Sequence, residues 1–76
     1  MSLHEMNILD VSGHMKQMWD RDKPDEVAAA RKTFERLTKE GYAAFRVKKD
    51  GSEGEKIKDF DPNAEAMILA PNLARG

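Results

Sequence analysis

The chain has 76 residues, 13 of them basic and 14 acidic, so its formal net charge is −1 and no bulk attraction to nucleic acid or membrane follows. It has no cysteine, which excludes a disulfide framework and thiolate zinc sites and makes a reducing cytoplasm the expected setting. Hydrophobic residues form 39% of the chain in periodic arrangement, which argues for one small folded domain over residues 1–76 rather than disorder. No apolar run approaches the ~20 residues of a membrane-spanning helix, so no membrane association is expected.

Residues 1–5 carry no pattern and are expected to be a flexible leader. Met6 to Val11 then reads as a strand around Ile8, Leu9 and Val11. His14 to Trp19 alternates, with Met15, Gln17 and Trp19 on one face and His14, Lys16 and Met18 on the other. Ser12-Gly13 between them predicts a tight turn and hence a hairpin. Parity alone leaves the core side of the second strand open; the bulk of Trp19 favours its side.

Asp22 to Val47 holds the clearest signal. Asp22 is a good N-cap, Pro24 suits the first turn, and Asp25 and Glu26 place negative charge at the positive end of the helix dipole. Val27, Ala30, Phe34 and Leu37 recur at spacings of three and four, which makes one apolar stripe. Arg31, Lys32, Glu35, Arg36 and Lys39 lie opposite, the pattern of a solvated face. Gly41 ends the helix through the left-handed conformation. The expected span is Lys23 to Glu40.

Tyr42 to Lys48 alternates next. Ala43, Phe45 and Val47 are expected to face the helix, with Tyr42, Ala44, Arg46 and Lys48 pointing away. Lys49 to Gly54 reads as a hairpin tip. Glu55 to Phe60 returns as a strand with Ile57 inward; Ile57 and Phe60 have opposite parity, so both are buried only if a bulge or strand end intervenes. Asp61-Pro62-Asn63 signals a turn with Pro62 at its second position. Glu65 to Ala70 makes the last strand, Pro71 stops it, and residues 72–76 form a tail. The result is an α+β fold of order ββαβββ, with one amphipathic helix packed on a small, mostly antiparallel sheet.

The strings WDRDKPDEVAAARKTFERLTKEGYAAFRV and IKDFDPNAEAMILAP together resemble a family of small, uncharacterised proteins encoded by tailed bacteriophages and prophages. The resemblance rests on Gly13, Trp19-Asp20, Glu40-Gly41-Tyr42, Phe60-Asp61-Pro62 and Met67 to Pro71, and covers most of the chain from Ile8 onward. The chain ends Ala74-Arg75-Gly76 where family members often end in a Gly-Gly pair. The resemblance implies a phage or prophage gene product made in a bacterial cytoplasm and supplies no activity, cofactor or catalytic residue.

No residue set makes a convincing catalytic or metal centre. Asp10, Ser12 and His14 combine an acid, a hydroxyl and an imidazole, but residues around one hairpin turn rarely reach triad geometry, and turn chemistry explains them better. His4 and His14 match no ligand spacing. The Asp50 to Glu55 segment lacks the pattern of a calcium loop. The chain is therefore expected to bind rather than catalyse, without cofactor or metal.

Two surfaces compete for that role. The run Met67-Ile68-Leu69 with Pro71 and Leu73 exceeds what one helix covers, which points to self-association or another protein partner. Alternatively Tyr42, Arg46, Lys48, Lys56 and Lys58 share a face and offer a basic, aromatic platform to nucleic acid.

Overall fold

The computed structural model describes residues 3–10, 13–48, 50 and 54–71. Along the chain run β1 (Leu3–Asp10), β2 (Gly13–Asp20), α1 (Pro24–Lys39), β3 (Tyr42–Val47), β4 (Glu55–Ile57) and β5 (Ala66–Pro71). The α+β order is as expected, and the sheet is mixed. Its strands lie in the order β2-β1-β5-β3-β4, with β1 and β5 parallel and the other three neighbouring pairs antiparallel.

β5 thus occupies the centre of the sheet, between the β1–β2 and β3–β4 hairpins. It joins two locally formed hairpins into one sheet, so the last strand in sequence completes the core.

β1 begins earlier than its apolar cluster suggests. Leu3, His4 and Glu5, expected in a flexible leader, belong to the strand, and His4 is buried. Its ring stacks on Trp19 at 5.4 Å between centroids, and its Nδ1–H donates to the Ala64 carbonyl at 2.6 Å. A histidine in the opening residues looks like solvated chain, but the tertiary partners Trp19 and Ala64 hold it. Val11, the expected last residue of this strand, and Ser12, half of the expected turn, lie outside the described residues.

α1 presents Ala30, Phe34 and Leu37 to the sheet, with Val27 partly buried beside them. They meet Met6 and Ile8 of β1, Trp19 of β2, Ala44 of β3 and Met67 and Leu69 of β5 in one core cluster. The helix start differs from expectation. Lys23, not Asp22, is the N-cap and makes no side-chain cap. Carboxylates from either side serve the approach instead: Asp22 N–H donates to Asp20 Oδ1, and Asp20 N–H donates to Glu26 Oε1, each at 2.9 Å. The stop is as predicted, with Gly41 at φ +107°.

A Cβ on Gly41 would meet nothing within 4 Å, so substitution there isolates the backbone cost. Gly41→Val should destabilise by about 1–3 kcal/mol and Gly41→Asn by less, since asparagine tolerates positive φ better. Chemical denaturation of the two variants measures the difference.

The sheet faces correct one expectation. Ala44 lies opposite both Leu69 and Ile57, and residues paired across a ladder share a face. Tyr42, Ala44 and Arg46 therefore point to the helix side, and Ala43, Phe45 and Val47 point away from it. Alternation in β3 set the apolar row Ala43, Phe45 and Val47 against a row carrying Arg46 and Lys48, and the apolar row suggested the core. The helix crosses the other row, where the small Ala44 fits beneath it and Arg46 lies at the end of the strand. β4 stops at Ile57, and this strand end lets Phe60 turn inward against Trp19 and Phe34 at 5.1 and 5.8 Å.

Candidate binding surface

The sheet has one face under α1 and one that no described element crosses. On the uncovered face, β3 contributes Ala43 and Phe45 and the central strand β5 contributes Ile68 and Ala70, all half-buried. Leu3 and Leu9 of β1 and Met18 of β2 extend this apolar surface, and they are 42%, 42% and 50% exposed. Glu5 and Asn7 hydrogen-bond within the same row, and Lys16 Nζ lies 3.9 Å from Glu5. Met15, on the helix side of β2, is 64% exposed because α1 leaves that end of the strand uncovered.

The two sheet edges differ. β4 is short, with Glu55 and Lys56 in it and Lys58 just beyond, which is how a sheet discourages further pairing. β2 runs unbroken from Gly13 to Asp20, without proline or bulge, in continuous register with β1. Its other side faces no strand among the described residues. Lys16 is the lone lysine along it. This open edge had no signature in the sequence, because strand order depends on where β5 inserts.

The five residues expected to form a basic platform are not on one face. Tyr42 packs against the core cluster from the helix side. Arg46 lies on that side too, bonded to Asp61 at 2.8 Å and ion-paired with Glu55. Lys56 pairs with Phe45 and so belongs to the opposite face. Lys48 and Lys58 are exposed beyond the ends of β3 and β4.

The expected apolar interface is likewise divided. Met67 and Leu69 are fully buried beneath α1, so they are core, a consequence of β5 lying mid-sheet. Ile68 alone of that run faces away from the helix, and Pro71 pairs with Tyr42 at the strand end. Leu73 lies outside the described residues.

A polar network fixes the turn that leads into β5. Asp61 accepts from Asn63 N–H at 2.9 Å, its carbonyl accepts from Ala64 N–H at 3.1 Å, and Pro62 occupies the second position as predicted. Trp19 Nε1–H donates to the Pro62 carbonyl at 3.2 Å and Arg21 to Asn63 Oδ1 at 3.2 Å. Over Arg46 and Asp61 lies an open cleft of about 380 Å³, also lined by Lys48, Glu55 and Glu65, where charges of both signs already meet.

Partial burial works against ionisation of Asp61, but the Arg46 guanidinium and the Asn63 amide outweigh it and hold the carboxyl below its usual range. A depressed folded pKa adds stability above the unfolded value, near 4, and that contribution is lost as pH falls through the folded value. Acid titration of stability should therefore show a loss below about pH 4 that is smaller in Asp61→Asn. Equal slopes in the two proteins would exclude Asp61 as the titrating group.

Asp10 pairs with Gly13 and His14 with Leu9, which sets Asp10 and His14 on opposite faces; Ser12 is outside the described residues. His4 and His14 also lie on opposite faces, five register positions apart. Among the described residues no group of three or more potential ligands could hold a metal ion, and no helix is long and apolar enough to cross a membrane. Comparison of the chain with protein-family models, curated proteins and solved structures finds no match, so the surface itself is the guide to function.

Proposed function

We propose that this protein is a non-catalytic binding domain whose first partner is a second copy of itself, engaged through the β1–β2 hairpin. One observation carries the reading. The exposed large hydrophobic side chains among the described residues, Leu3, Leu9, Met15 and Met18, all lie on this hairpin, and its outer strand is an edge that pairs with no further strand among the described residues. Scattered apolar side chains are ordinary on a protein surface, whereas their concentration beside an open backbone edge favours association. A small domain with one helix gains further from such a contact, because the core it can bury alone is modest.

The resemblance of the helix and last-strand segments to a phage-encoded family supports reading this role as an accessory function of a phage or prophage, exercised in a bacterial cytoplasm. Light scattering tests the association directly. The molar mass should rise with concentration from 8.6 kDa toward twice that value. A mass fixed at 8.6 kDa up to the highest attainable concentration would remove self-association.

A further inference from the structure

We infer that the second copy joins edge to edge at β2, antiparallel, about a two-fold axis through Met18. This rests on the self-association proposed above and specifies its geometry. The contact would continue the sheet from one copy into the other and leave both helices on the same side.

Directly opposed residues in an antiparallel ladder share a face, so the axis must pass through a residue rather than between two. Charge then selects which residue. An axis at Lys16 sets two ammonium groups against each other, a destabilising pairing. An axis at Gln17 places Lys16 opposite Met18 and leaves His14 opposite Asp20. With the axis at Met18, Lys16 of each copy stands opposite Asp20 of the other, giving two cross-strand pairs of opposite charge.

The local environment agrees with this choice. Lys16, Met18 and Asp20 lie on the same, helix-free face, since they pair with Asn7, Glu5 and Leu3 of β1. Met18 is half exposed and meets its own counterpart at the axis, where thioether side chains adapt readily to each other. Asp20 uses Oδ1 to accept from Asp22 N–H, which orients the carboxylate beside the edge. Trp19, between the paired positions, is fully buried under its own helix and anchors β2.

The absence of native cysteine makes the geometry testable by single-cysteine crosslinking. Opposed residues of an antiparallel pair have Cα atoms about 4.5–5.5 Å apart, inside the ~4.4–6.8 Å range of disulfides. In the full chain under mild oxidation with diamide, Met18→Cys should form a covalent dimer much faster than His14→Cys or Ile68→Cys. Met18→Lys should keep the monomer's circular dichroism and lose the dimer mass, because two ammonium groups then meet at the axis. Lys16→Glu should weaken association, and adding Asp20→Lys should restore it.

A dimer that crosslinks fastest at Ile68, or that survives Met18→Lys unchanged, would overturn the edge geometry while leaving self-association in place. Failure of the charge swap to restore association would overturn the register. A strict monomer at every concentration would remove both the inference and the reading beneath it.

Discussion

Trp19→Ala should unfold most of the protein at room temperature. Trp19 is fully buried and has three kinds of partner: it stacks on His4, tilts against Phe60 and donates its indole N–H to the Pro62 carbonyl. Deleting so large a core side chain costs about 3–5 kcal/mol through lost transfer energy and the cavity left behind. The Pro62 carbonyl also loses its donor, at a further cost on the order of 1 kcal/mol. At typical stability per residue, a chain this short has only roughly 4–11 kcal/mol in total. A thermal melt followed by circular dichroism should show a broad, low transition or none. Trp19→Phe should retain a cooperative melt, because it keeps an aromatic ring and loses the indole hydrogen bond. An unchanged melting temperature for Trp19→Ala would mean that the ring cluster is not the core.

The importance of Trp19 was partly legible in the sequence, as was the helix that covers it. Period, charge and glycine signals are local, and they located α1 to within a residue at each end. The strands were legible as strands because alternation and turn residues are also local. Which row of β3 faces the helix was not. Both rows contain small or apolar residues, and the choice depends on the register of β5 against β3, set by contacts far apart in sequence. The same long-range fact moved Met67 and Leu69 from a surface to the core and left β2 at an edge. His4 and Arg46 misled for a related reason, because Trp19 with Ala64, and Asp61 with Glu55, are partners supplied only by the fold.

Leu69→Asp and Ile68→Asp, one residue apart, should therefore have opposite outcomes. Leu69 is fully buried in the central strand, opposite Ala44 and beside Ile8, within the core that α1 covers. The core cluster around Leu69 contains no cation. The loss of the leucine alone is worth about 2–5 kcal/mol, and burial of an unpaired charge adds several more. The sum reaches the whole stability expected of a domain this size, so the variant should lack a cooperative transition at neutral pH. Ile68 points to the uncovered face, where an aspartate keeps contact with water. The cost there is mainly β-propensity and partial packing, on the order of 1 kcal/mol, and the fold should persist. Urea denaturation of both proteins decides the matter. If Ile68→Asp unfolds and Leu69→Asp does not, β5 is shifted by one residue and the two sheet faces are exchanged.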